Sequence, residues 1–342
     1  MAKCSGPERR DMKRILVCAM IVGLLLAGCS PGGGGAGAPA ADSAPPPAQG
    51  QVQQEDTGIV VTDMTDREVR LDSPATSIVA LAAADVEILY AIGAGDTLVG
   101  RGEYCDFPQE ALDVQSVQSG YETNIEQIIA LAPQLVIMSK MDQSEDQVKQ
   151  IEDAGITVFV TYAQDIAGTY EDISLIGKLT GKEAEAGNVV QGMKNMFADL
   201  QSKAAAKSAG AGQKSIYFEV SPLEYGLWAA GSGTFMNEVS EILGMKNIFD
   251  DVNSWAEVSE EQVIERNPDY ILTVTMYTGD GPTPVESILS RPGWENITAI
   301  KDKAVLNLTA NELSRPGPRL ALGAQLLYQF VYEGGSATPD ES

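Results

Sequence analysis

The chain has 342 residues, with 48 Asp and Glu against 23 Lys and Arg, a formal charge of −25, and no histidine. That length holds two ordinary domains or one large one, and so acidic a surface argues against nucleic acid or an anionic membrane face as a partner. Without imidazole, Ser-His and Cys-His nucleophile pairs are excluded, and a Zn or Mn site would rest on carboxylates alone, a poor match to those metals.

Lys13-Arg14 precedes an apolar run, residues 15–27, that closes as Leu26-Ala27-Gly28-Cys29. The run is shorter than the ~20 residues that span a bilayer and fits the apolar part of a secretory signal. Its ending resembles a bacterial lipobox, which implies a signal peptide over residues 1–28, cleavage before Cys29 and a lipid on that sulfur. Met12-Lys-Arg also has the form of a translation start, so Met1 and Met12 both stand as starts. Of the four cysteines, Cys4 and Cys18 precede the cleavage point and Cys29 is the anchor, which leaves Cys105 alone in the exported body. A disulfide framework is thereby excluded despite the export signal. Residues 29–56, after the lipidated cysteine, are mostly Gly, Ala, Pro, Ser and Gln, too polar and too small to build a core, and read as a flexible linker.

Folding signals begin near residue 57. Ile59-Val-Val-Thr and Glu68-Val-Arg-Leu71 read as a hairpin. A strand at 77–81, a helix at about 84–92, loops at 103–111 and 118–123, a strand at 135–138, a helix at about 144–154 and a strand at 157–162 follow. This alternation predicts a parallel α/β lobe over residues 57–164. Residues 165–210 carry no strand signal, and 182–207 are rich in Ala, Lys, Glu, Gln and Met with Val189, Met193, Met196, Phe197 and Leu200 on one face. They predict a helical bridge, with a helical insertion in one domain as the alternative. Residues 211–335 repeat the α/β pattern: strands at 215–220, 227–230, 270–275 and 304–308, and helices at 235–243, 285–289 and about 318–331. Residues 336–342 are a tail.

One stretch occurs twice. Glu126-Gln-Ile-Ile-Ala-Leu-Ala-Pro133-Gln-Leu-Val-Ile137 returns as Glu261-Gln-Val-Ile-Glu-Arg-Asn-Pro268-Asp-Tyr-Ile-Leu272. Asn124 and Gln127, like Ser259 and Gln262, have capping-box spacing. Each copy predicts a short helix, a proline stop and a buried strand, with a carboxylate in the first turn where the helix dipole favours it.

Other constellations carry less. Gly231-Ser-Gly-Thr234 lacks the Lys of a P-loop and the third Gly of a dinucleotide fingerprint, and reads as a tight turn with Thr234 as N-cap. No Asp/Glu pair stands in a recognisable catalytic motif. Tyr104, Phe107, Tyr121 and Trp255 fall in predicted loops beside strand ends, and aromatics on two facing walls suit a large planar or apolar ligand. Arg315 precedes the last helix and could meet a polar group of such a ligand, whereas Arg319 reads as part of a surface turn.

Together these residues resemble class III (cluster A-II) substrate-binding proteins of ABC importers, the group that carries ferric siderophores, haem and vitamin B12. The resemblance covers nearly all of residues 57–335. It rests on Tyr104-Cys-Asp-Phe-Pro108, Asn124-Ile-Glu-Gln-Ile128 with Ala132-Pro133, Gly231-Ser-Gly-Thr234 with Gly244-Met-Lys-Asn-Ile-Phe249, Val258-Ser-Glu-Glu-Gln262 and Ser314-Arg-Pro-Gly-Pro-Arg319. It implies an α/β fold of two Rossmann-like lobes joined by a single long backbone helix, a shallow ligand cleft between them and small opening motions. It further implies a non-enzymatic, extracytoplasmic, lipid-anchored monomer without a cofactor of its own. Its partner would be an ABC permease dimer with ATPase subunits, docked through Glu126 and Glu261, with Glu260 a substitute for the latter. Tyr104, Tyr121, Trp255, Arg315 and Arg101 become the expected ligand contacts, although Tyr121 is one position displaced from the Trp of B12 binders and the loop at Arg315 is two residues longer. A corrinoid is the expected cargo, with a ferric siderophore next and haem third. A carboxylate-based extracytoplasmic enzyme and an adhesion or scaffold lipoprotein are the competing classes.

Overall fold

The structure, a computed structural model, describes residues 58–334 apart from 121, 142, 211, 277, 278, 280, 309 and 310. The signal peptide, Cys29, the linker and Tyr121 lie outside the described residues.

The hairpin forms as β1 (Ile59–Thr62) and β2 (Glu68–Leu71), antiparallel, with Val61, Val69 and Leu71 turned inward. Asp63 in its turn accepts hydrogen bonds from the Thr65 and Arg67 backbone, from the Thr65 hydroxyl and Arg67 Nε, and from Val160 N of the adjoining sheet. Burial alone would raise its pKa, but these donors together hold Asp63 below the ordinary carboxylate value.

The first lobe is a five-stranded parallel sheet of β3 (Ile78–Ala80), β4 (Leu98–Gly102), β5 (Ser116–Val117), β6 (Leu135–Ser139) and β7 (Thr157–Thr161). Its order is β5-β4-β3-β6-β7. Strands β3 and β6 are continuous apolar runs because helices cover both faces of a parallel sheet; α1 (Ala83–Ala91), α2 (Ile125–Leu131) and α3 (Glu145–Asp153) connect them. The second lobe is a six-stranded mixed sheet of β8 (Ser215–Ser221), β9 (Trp228–Ala230), β10 (Lys246–Asn247), β11 (Trp255–Glu257), β12 (Tyr270–Thr273) and β13 (Val305–Asn307). It runs β11-β9-β8-β12-β13, with β10 also on β8 and with β9 and β11 antiparallel.

The bridge contains two helices. Between the lobes the chain forms α4 (Ile166–Thr180) and α5 (Glu183–Ser208), separated where Gly181 adopts φ 68° at the C-cap. Gly177 allows their close approach: a Cβ there would meet the Ala186 Cβ at 2.6 Å. Helix α5, 26 residues and so about 39 Å long, buries Ala186, Val190, Met193, Phe197, Leu200 and Ala204 against α4 and the last helix of the chain. Those positions alternate three and four apart, the stripe expected of a helix facing one neighbour on each side. Met196, expected on the apolar face, is exposed instead.

Helices α6 (Phe235–Ile242), α7 (Glu260–Arg266), α8 (Pro284–Leu289), α9 (Thr298–Lys301) and α10 (Leu320–Glu333) complete the second lobe. Helix α10 starts two residues beyond Pro318, so that proline precedes the helix. In Gly231-Ser-Gly-Thr234 the glycines are structural: a Cβ on Gly231 would sit 2.1 Å from the Val252 carbonyl oxygen, and Gly233 has φ 77°. Thr234 accepts from Asn237 N as the N-cap of α6.

Candidate functional site

In open α/β sheets a crevice forms beyond the carboxyl ends of the strands where the strand order reverses. In the first lobe that point lies between β3 and β6. A cavity of about 370 Å³ opens there, walled by residues 81–85 after β3, by Ser139 and Met141 at the end of β6 and by residues 161–163 at the end of β7. Ser314-Arg315-Pro316, from the segment before α10, closes one side, so the two lobes share the cavity. A second hollow of about 450 Å³ occupies the corresponding strand ends of the other lobe, beside Glu219, Met276 and Arg291.

Tyr104 stands at the mouth of the first cavity, 67% exposed, in company with Met141 and Tyr162. The Lys140 ammonium lies 4.6 Å above the Tyr162 ring. Gly102 brings the Tyr104 loop close: a Cβ there would lie 2.1 Å from the Leu81 carbonyl oxygen, and Cys105 N donates to Gly102 O. The Cys105 thiol is fully buried behind this wall, and burial pushes its pKa up to about 12, so it has no thiolate chemistry at neutral pH.

Arg315 reaches the cavity but its guanidinium is engaged. It donates to Glu87 Oε1 at 3.0 Å, to Asp106 Oδ1 at 2.7 Å and to the Tyr104 carbonyl at 3.1 Å. Glu87, buried on α1, also accepts from Arg319 Nε and Nη2 at 2.9 and 2.6 Å, and the Arg319 guanidinium stacks 3.9 Å from the Phe107 ring. Arg319, expected on a surface turn, is therefore a partner in an ion cluster between the lobes.

Two expected ligand contacts are placed elsewhere. Arg101 is buried, with Nε donating to Ala111 O and Nη1 to Gly102 O, and does not line the cavity. Trp255 lies in strand β11 and not in a loop; its ring packs 5.3 Å from Phe235 and its indole N–H donates to Gln164 Oε1 at 3.0 Å. Gln164 O in turn accepts from Phe235 N, so Trp255 belongs to a second tie between the lobes.

The two repeat copies form α2 and α7, each with its glutamate exposed in the first turn. Ser259 and Gln262 make the full capping box, whereas Asn124 caps Gln127 N and the Gln127 side chain turns to Gln118 N. Glu260 accepts from Trp294 Nε1 at 3.0 Å, part of a buried network with the Glu219–Arg291 pair (2.8 and 3.0 Å) below it. Glu261 remains fully exposed, and its own backbone N–H and Ser259 hold it below the ordinary glutamate value.

The inner wall of the cavity holds two acids that no sequence motif marks. Asp85 on α1 and Asp172 on α4 both line the cavity and both are about 1% exposed. The Thr161 hydroxyl lies 3.4 Å from Asp85 Oδ2, while Asp172 Oδ1 has no hydrogen-bond partner. Burial, then the neighbouring charges of Asp85 and Glu171, push Asp172 well above the ordinary carboxylate range. A carboxylate inside the apolar run 83–91, and another beside Ile173 and Ile176, were the available signals, because an acid on a buried face requires a reason.

The family model described as periplasmic binding protein matches residues 78–312. An ABC transporter substrate-binding lipoprotein of Bacillus subtilis, YvrC, is 34% identical over 277 residues, 80% of this chain and 85% of that protein. A vitamin B12-binding protein of Salmonella typhimurium is 29% identical over 256 residues, 74% of this chain and 89% of the relative. The solved structure of a periplasmic solute-binding protein of Staphylococcus epidermidis superposes with a TM-score of 0.65 at 29% identity, over 76% of this chain and all of that one (100%).

Proposed function

The chain belongs to the periplasmic binding protein family, and on that premise we propose that it is the substrate-binding lipoprotein of an ABC importer. It captures a metal chelate, a corrinoid in preference, in the cleft between the lobes and delivers it to a permease dimer with ATPase subunits. The observation that carries the cargo class is the cavity mouth, where Tyr104, Met141 and Tyr162 present exposed apolar faces around a polar floor. A cavity of about 370 Å³ encloses part of a tetrapyrrole-sized ligand and leaves the rest against that mouth. The relatives named for vitamin B12 support the corrinoid. An anionic ferric siderophore would call for an available guanidinium, and both Arg101 and Arg315 are engaged. Haem iron would find no histidine in the chain.

The protein acts without turnover, held outside the cytoplasm by the lipid on Cys29, as a monomer. Its cargo leaves as it entered. Among the described residues no helix is long and apolar enough to cross a membrane. Glu126 and Glu261 present one carboxylate per lobe to the permease; Glu260 is held by Trp294 and is the less available of the adjacent pair. The test is titration of the purified protein with cyanocobalamin, a ferric siderophore and haemin, read by intrinsic fluorescence and thermal shift. Saturable quenching and a raised Tm with cyanocobalamin are expected; no response to any of the three would refute the reading.

A further inference from the structure

Resting on the corrinoid reading, we infer that Asp85 and Asp172 form a subsite at the inner end of the cavity that accepts an uncharged N–H donor of the cargo, a primary carboxamide, and turns away carboxylates. Both side chains line the cavity, both are buried, and they come from different helices, α1 and α4. Asp172 Oδ1 is a buried acceptor without a partner, and such an atom is costly unless something completes it. A cargo donor would do so.

Charge decides which donor. Burial and the neighbouring Asp85 charge favour the protonated form of Asp172, so the negative charge at this wall is that of Asp85. Glu171 adds to the negative field at Asp172. The cations nearby are committed: Arg315 to Glu87 and Asp106, and Lys140 to the face of Tyr162. A carboxylate entering this corner would meet a negative charge without an available counter-ion, whereas an amide N–H would meet an acceptor. Corrinoids carry carboxamides around the ring; haem carries carboxylates. The pair therefore selects within the class of large planar chelates on the charge of the periphery.

The experiment uses the full chain in detergent, titrated by calorimetry with cyanocobalamin, with a cobalamin in which one peripheral amide is hydrolysed to the acid, and with haemin. Asp172→Leu removes the acceptor and should weaken cyanocobalamin about tenfold or more, with Tm unchanged or raised. Asp85→Asn together with Asp172→Asn keeps the shape and removes the charge of the pair, and should narrow the preference for the amide over the acid probe by about tenfold. Cyanocobalamin bound equally by wild type and D172L overturns the subsite and leaves the corrinoid reading standing. Haemin bound by the wild type in place of cyanocobalamin overturns both. If D172L does not fold, the probe preference of the double variant D85N/D172N decides alone: an unchanged preference overturns the subsite.

Discussion

Asp172 shows how one residue can work against the fold and for a site. An unpartnered buried carboxyl destabilises by about 1–3 kcal/mol, and α4 would be better served by an apolar residue beside Ile173 and Ile176. Its folded-state value is raised above the ordinary 3.8, so the folded protein holds a proton that the unfolded chain releases. The stability linked to that proton is complete below about 3.8 and is lost as pH rises through the folded value. Asp172→Asn should therefore be more stable than wild type, by about 1–3 kcal/mol at pH 8, with the difference shrinking toward pH 4. Urea unfolding across that range would show it; parallel pH profiles would mean that Asp172 titrates normally in the fold. Nothing in the linear sequence pairs Asp85 with Asp172. Each looks like an isolated acid in a helix, and only the packing of α1 on α4 brings them to one wall.

At the scale of elements, the repeat was the most legible part. Helices α2 and α7 are read from local signals: a capping residue, a carboxylate in the first turn, and Ala132 and Asn267 in the left-handed conformation just before proline. Helix α5 differs from the sequence expectation by one residue at each end because its stripe is long and periodic. Strands β5 and β11, two and three residues long, escaped notice because pairing with β4 and β9 defines them, not a period of their own. With β11 went Trp255, whose indole N–H is engaged across the lobes. Glu126 and Glu261 are equivalently exposed on the two lobes. Glu126→Ala with Glu261→Ala should leave cyanocobalamin affinity within about twofold of wild type, since surface changes of this kind alter the fold by about 0.5 kcal/mol or less. Permease-dependent uptake by cells should be abolished; uptake at the wild-type rate would remove the docking role.

Across the whole molecule, the described residues tie the lobes on two sides. On one side Glu87 gathers Arg315 and Arg319; on the other Gln164 engages Trp255 and Phe235, while Glu238 accepts from Ile166 N at the start of α4. A buried ion cluster of this kind contributes more to a specific arrangement than to net stability, because desolvation offsets much of the attraction. A wide hinge would have to break both ties and bend α5, so cargo exchange through small movements of the Tyr104 loop and residues 314–316 is the motion this architecture favours. The central claim is that the cleft takes up an intact chelate without changing it. Native mass spectrometry of the full chain with cyanocobalamin tests this most directly. The account predicts a one-to-one complex from which cyanocobalamin is recovered with its mass unaltered. No complex with cyanocobalamin, or a ligand returned chemically altered, would contradict it.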